Sequence, residues 1–244
     1  MIRDELEGMW HILRKDLKAY YFKPPNISWG ILFPLVLALA FTLRNPAGLA
    51  ELSPGLIAMA ALFGTTSMEA IVITFEKRVG ALERLIMAPV SLSTILVGKV
   101  LGGAVFGLVI AGVMMLISLL FLNTAVTYPL LFIVILILTV LAHSALGALV
   151  AVSVKEVFEA QTLSNYFRFP MVFLCGVFLP VDAMPVPIQA IAHLLPLTYA
   201  VNAFRQVLIG TPDTTLMLRD LAALTLFLMI FLELATRLLK KSLE

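Results

Sequence analysis

The chain has 244 residues, of which 61% are hydrophobic and 13% charged. Soluble globular domains are about 45–50% apolar and about 25% charged, so this composition excludes an ordinary water-soluble domain and points to a membrane protein. A net charge of +2, with no basic run interleaved with aromatics, offers no nucleic-acid surface, and the lone Cys175 excludes an internal disulfide or a multi-thiolate metal site.

In the first segment, 1–26, Ile2, Leu6, Met9, Trp10, Leu13, Leu17 and Tyr20 recur at helical spacing, with Arg3, Arg14, Lys15 and Lys18 elsewhere on the wheel. This predicts an amphipathic helix along the inner membrane surface, with Trp10, Tyr20 and Tyr21 at headgroup depth. The early acids Asp4, Glu5, Glu7 and Asp16 argue against a secretory signal, so the N-terminus is expected to stay on the mature protein.

Six segments are apolar enough to cross roughly 30 Å of hydrocarbon, which takes about 20 helical residues. They lie near 27–43, 52–75, 100–122, 129–152, 169–181 and 216–236, the fifth being short unless it begins near Ser164. Continuous apolarity, without alternation, excludes a β-barrel. The expected fold is an all-α integral membrane protein, with 1–244 as a single transmembrane domain.

The second span carries an acid, Glu69. About seven strongly apolar residues contribute about −2 to −4 kcal/mol to insertion, and a central carboxylate like that of Asp would cost about +2.5 to +3.5. Two readings are open: Glu69 lines the inner part of a substrate path, or it is an end-of-helix carboxylate with a partner. His143, in the fourth span, either pairs with Glu69 across helices or bonds a backbone carbonyl. Gly103 and Gly107 on the third span suit close helix packing, and Glu233 and Arg237 on the last form an i, i+4 pair.

The connector 76–99 is longer than two spans need. Val79, Leu82 and Ile86 fall at i, i+3 and i+7, Glu83 and Arg84 point away, and Pro89 is expected to stop the helix at Ala88. On physics alone it is either a docking element or a helix floating on lipid. After the fifth span, Pro180, Pro185, Pro187 and Pro196 break the backbone, with a short helix expected from an N-cap at Thr198 to Gly210. With Asn202, Arg205 and Gln206 in it, 182–215 is expected to dip into the outer leaflet as a re-entrant helical hairpin. With both termini in the cytoplasm, fourteen Lys and Arg, including Lys99 and Arg168, lie inside, against Arg44, Arg205 and Arg219 outside. That asymmetry favours an even number of spans.

The run Glu76-Lys77-Arg78-Val79-Gly80-Ala81-Leu82-Glu83-Arg84-Leu85, with Ala88-Pro89-Val90 and Gly98-Lys99, resembles the signature of the type-2 ABC transporter permeases. That signature is a charged pair, Gly-Thr-Leu-Glu, Thr-Pro and Gly-Lys; Ala81 and Ala88 stand where threonine is common. Gly176-Val177-Phe178-Leu179-Pro180 and Pro196-Leu197-Thr198-Tyr199-Ala200, then Arg205, are similar to a second family run, with Leu179 intervening before Pro180. The resemblance implies that the connector is a cytoplasmic coupling helix, with Glu76, Lys77, Arg78, Gly80, Leu82, Glu83, Arg84, Leu85 and Pro89 seated against an ABC ATP-binding subunit. It implies pairing with a second copy or a paralogous permease in the cell membrane, and outward movement of an amphipathic, lipid-linked or drug-like substrate.

No phosphate-binding loop occurs, since Gly98-Lys99 is followed by Val100 and lacks the upstream glycine spacing, so ATP is expected on a separate subunit. No catalytic motif appears either, and the chain is expected not to be an enzyme or to hold a cofactor. The alternatives are an ion-gradient-driven secondary transporter, which usually carries several intramembrane acids, and a non-transporting membrane scaffold.

Overall fold

The computed structural model describes residues 2–23, 28, 31–37, 39–40, 49–122 and 124–242. Among them there is no strand. Helix α1 (Ile2–Asp16) runs into a π-helical turn (Leu17–Tyr21), followed by α2 (Leu49–Arg78), α3 (Ala81–Ile86), α4 (Leu92–Phe121), α5 (Pro129–Ser153) and α6 (Val157–Leu174). A 3-10 turn (Val181–Ala183), α7 (Val186–Ala192), α8 (Pro196–Leu208) and α9 (Thr214–Lys241) complete the chain. Of the expected first span, 27–43, residues 28, 31–37 and 39–40 are described and helical, and the rest lies outside the described residues.

Among the described residues four helices, α2, α4, α5 and α9, are long and apolar enough to cross a membrane. Local chemistry sets their starts. Ser91 caps α4 by accepting from the Thr94 amide at 3.1 Å, Asp213 caps α9 through the Leu216 amide at 2.9 Å, and Pro129 opens α5 where no N–H is needed. The Ser91 cap is why α4 begins earlier than the apolar run that starts at Val100.

The fifth span differs from expectation. Helix α6 starts at Val157, where the Glu159 carboxylate accepts from the Lys155 and Glu156 amides at 3.1 and 3.3 Å, and ends at Leu174. Gly176, at φ +84°, then takes a left-handed conformation that turns the chain, so 175–180 is not helical. Gln161, Ser164, Asn165 and Arg168 hide the first half of α6 from any search for apolar runs. In the proline-rich segment, α8 begins at Pro196 and not at Thr198, because the fixed φ of proline suits a first helical turn. The Thr198 hydroxyl donates instead to the Ala192 carbonyl (2.5 Å), tying α8 to α7.

Helix α2 is the centre of the protein, packed on α4, α5, α6 and α8. Of its most apolar stretch 89% is buried inside the protein, against 17% for α9, which therefore turns most of its surface to its surroundings. Close approach around α2 uses small residues. A Cβ at Gly103 would strike Glu69 and Ser144, one at Gly107 would strike Thr65, and one at Gly147 would strike the Thr66 backbone. The Gly103–Gly107 pair thus serves packing within the chain. Arg237 donates to Glu233 at 2.6 Å on the exposed face of α9, a pair that contributes about 0.3–0.5 kcal/mol at most.

Candidate functional site

The connector between α2 and α4 is a short displayed helix on a buried base. Gly80, at φ +68°, reverses the chain after Arg78, and α3 then runs for six residues. Leu82 is buried, and Leu85 and Ile86 pack with it against Ile12, Ile95 and Leu96. Glu83, Arg84 and Pro89 are exposed. Val79, expected on the apolar stripe, is 48% exposed, because the helix begins only after Gly80. Lys77 Nζ donates to the Val154 carbonyl at 3.3 Å and Arg78 lies 3.7 Å from Glu156, so the last turn of α2 is tied to the loop that opens α6.

The residues predicted for this site divide into two sets. Gly80, Leu82, Glu83, Arg84, Leu85 and Pro89 form the connector itself. Glu76, Lys77 and Arg78 belong to the last turn of α2, and the Glu76 side chain faces inward with no exposed surface.

Glu76 is held in a four-membered ion cluster. Lys99 Nζ donates to Glu76 Oε2 and, at 3.2 Å, to Asp16 Oδ2; Lys15 Nζ lies 2.5 Å from Glu76 Oε1 and 3.0 Å from Asp16 Oδ1. Two carboxylates alternate with two ammoniums, so every buried charge has two opposite neighbours. Such closure is required, because a lone charge in this position would cost several kcal/mol. Burial pushes the Asp16 carboxyl above its ordinary value, with Lys99 opposing the shift. For Lys15, burial favours the neutral amine, but the Glu76 hydrogen bond and the Asp16 and Glu76 charges outweigh it and raise the ammonium.

Sequence reasoning missed this cluster. Asp16 and Lys15 were read as parts of a surface helix, and their partners lie 61 to 83 positions away. The available signal was Gly98, where a Cβ would sit 3.3 Å from the Met9 carbonyl and from Ile12: the glycine beside Lys99 lets α1 lie directly on α4.

Glu69 lies deeper in α2 and is wholly buried. The Tyr21 hydroxyl donates to Glu69 Oε2, and Oε1 has no partner. Tyr21, expected among lipid headgroups, instead points into the protein: the π-helical turn carries it inward, 5.5 Å from the Phe106 ring, with no exposed surface. Trp10, by contrast, is 59% exposed on α1. His143 makes no bond to Glu69. Its Nδ1 donates to the Thr139 carbonyl at 2.7 Å, the other outcome open to it, and Thr66 Oγ1 donates to its backbone carbonyl at 3.1 Å. The two residues expected on a substrate path thus sit on facing helices, each with its own partner.

At the other end of the bundle, Arg205 Nη2 donates to the Gly176 carbonyl at 2.8 Å, and Gln206 reaches Asp220 at 3.3 Å. The proline-rich segment is in this way fastened to the turn after α6 and to the start of α9.

A bundle of long apolar helices, interrupted by one charged helical connector, defines a multi-pass membrane protein. The sequence profile of the ABC-2 type transporter family matches residues 7–209, and the chain belongs to that family. It is similar to the inner membrane transport permease YadH of Escherichia coli K12, with 29% identity over 163 residues, 67% of this chain and 64% of that protein. The match therefore spans just under two thirds of that relative's length. It also resembles Nodulation protein J of Rhizobium leguminosarum bv. trifolii, at 30% over 113 residues, 43% of this chain and 40% of the relative.

Proposed function

We propose that the chain is the membrane-spanning permease subunit of an ATP-driven exporter, with six spans and both termini in the cytoplasm. Connector 76–99 is its coupling element, α1 lies along the inner membrane surface, and 182–215 is the outer re-entrant segment. Two such subunits, identical or paralogous, form the path, and each presents α3 to a separate ATP-binding subunit. The substrate is amphipathic, lipid-linked or drug-like and moves outward.

One observation carries this reading: α3 exposes Glu83 and Arg84 on a helix whose apolar side is anchored on the core. A helix so anchored transmits force. Lys77 and Arg78 tie one flank to α6, while Glu76 and Lys99 tie both flanks to each other and to α1. Closure of the ATP-binding subunits would move these helices together and shift the paired halves between inward and outward exposure.

Glu83→Ala and Gly80→Val test the role of the connector. Each is expected to lower transport at least tenfold while membrane insertion is kept; the melting temperature of the isolated chain should stay near wild type for Glu83→Ala and fall for Gly80→Val, because a β-branched side chain is strained at a φ of +68°. Transport that survives both substitutions removes the coupling role. Cross-linking from position 84 in native membranes should capture a nucleotide-binding protein; a partner lacking nucleotide-binding motifs would favour the scaffold alternative.

A further inference from the structure

The seam between α2 and α6 contains a buried cation that the described chain leaves without a counter-charge. Arg168 is 1% exposed, and its guanidinium carbon lies 4.3 Å from the centroid of the Phe63 ring. Nη2 donates to Asn165 Oδ1, Nε has no acceptor, and no described carboxylate pairs with it. Of the 15 Asp and Glu residues only Glu244 lies outside the described residues.

Arg168 is about 16 Å along α6 from Val157, and Phe63 is about 22 Å along α2 from Arg78, at 1.5 Å per residue. That places the cation near the middle of a hydrocarbon layer roughly 30 Å thick, where an ionisable side chain requires a partner. It therefore does not belong with the exposed basic residues of the inner face, where orientation counting placed it.

The surroundings are polar and unsatisfied. Gln161, Ser164, Asn165 and Arg168 follow i, i+3, i+4 and i+7 on one face of α6, and Gln161 Oε1 and Ser164 Oγ are also buried without partners. On α2, Phe63, Ser67, Ala70 and Thr74 share a face. Phe63 touches Arg168, Ala70 packs with Ala160 of α6, and the Ser67 and Thr74 hydroxyls are likewise unpartnered. Buried polar atoms are normally satisfied, so a run of five orphans along one seam marks a place that receives something polar. Beside it lies a cavity of about 340 Å³ lined by Thr162, Asn165, Tyr166, Phe169 and Pro170. Asn165 belongs to both, with its Oδ1 on Arg168 and its body in the cavity wall.

A second copy of the chain does not supply the missing charge. The acid in the middle of its long helices is Glu69, which is fully buried and engaged by Tyr21. We propose that Arg168 binds the anionic headgroup of an amphiphile that enters from the bilayer through the cavity beside Asn165. The headgroup replaces Asn165 as acceptor and also engages Nε, the fork geometry in which guanidinium holds phosphate. The acyl chains lie against Tyr166, Phe169 and Pro170. This site goes beyond the transport reading and stands without an ATP-binding subunit.

The test is thermal unfolding of the full chain in a neutral maltoside detergent with phosphatidylglycerol, phosphatidylcholine or inorganic phosphate added. Phosphatidylglycerol at saturation should raise the melting temperature by about 5 °C over phosphatidylcholine. Arg168→Met should melt at or above the wild-type temperature without lipid and lose that increment. Asn165→Asp, which supplies an internal counter-charge, should lose it too. If Arg168→Met does not fold, the aspartate variant decides. Equal effects of the two lipids, or an increment that survives in the variants, overturns the site; a full effect of inorganic phosphate alone overturns its assignment to an amphiphile.

Discussion

Two buried charge sites in this protein are built on opposite rules. Behind the connector, Lys15, Asp16, Glu76 and Lys99 close into a ring in which each charge has two opposite neighbours. In the α2–α6 seam, Arg168 has an amide and an aromatic face and no carboxylate among the described residues. A cation–π contact contributes about 2 kcal/mol when desolvated, less than the several kcal/mol that burying one ion costs. The closed ring is complete as it stands and fits a mechanical part. The open site is incomplete and fits a place where something binds.

The largest effect should come from opening the ring. Lys99→Met removes the one cation with no exposed surface and leaves Glu76 and Asp16 facing each other with only the half-exposed Lys15 between them. The expected cost is about 3–5 kcal/mol, visible as a large drop in melting temperature and as loosened α1 in hydrogen exchange. Arg168→Met in lipid-free detergent should move the other way or not at all. If both substitutions destabilise equally, the contrast between a structural and a receptive charge site is wrong.

How far each site was legible follows from the same contrast. The connector was readable because charged residues interrupt two apolar runs, and Gly80 and Pro89 bound the helix between them. The ring was not: Asp16 and Lys99 are 83 positions apart, and in one dimension both look like residues for the membrane surface. Helix α6 was partly hidden because the polar face that makes it interesting, Gln161 through Arg168, lowers its apolarity below that of a span. Tyr21 faces inward and not the lipid because a π-helical turn shifts the register of the amphipathic pattern that precedes it. His143 followed the ordinary chemistry of a buried imidazole and bonded a carbonyl on its own helix.

A smaller effect separates Glu69 from the ring below it. Tyr21→Phe removes its one hydrogen-bond donor and leaves the buried carboxyl with both oxygens unpartnered. The expected loss is about 1–3 kcal/mol, the desolvation cost of a stranded polar group, measured by thermal unfolding. Pairing Tyr21→Phe with Glu69→Leu should recover part of it, since the stranded polar group is then removed altogether. If the single substitution has no effect, water or another group satisfies Glu69, and its coupling to the N-terminal segment is lost as an argument.

The smallest effect concerns how α1 is pinned to the connector at its far end. The Glu5 carboxylate accepts from the Ser91 amide at 3.1 Å, beside the residue that caps α4. Its pKa is held below the ordinary value of 4.5, first by the Thr94 hydroxyl, against an opposing effect of desolvation, and further by the Ser91 amide and hydroxyl. A carboxyl lowered in the folded state adds stability that is complete above its unfolded value and is lost as pH falls through the folded one. Protection of the Ser91 amide against hydrogen exchange, corrected for intrinsic rate, should therefore be constant from about pH 8 to 6 and fall below about pH 4.5. In Glu5→Gln the fall should disappear. Because Glu5 is at the surface, the melting temperature should barely move in either case, which separates this contact from the ring: one is a latch whose release is local, the other a joint whose loss unseats the helix.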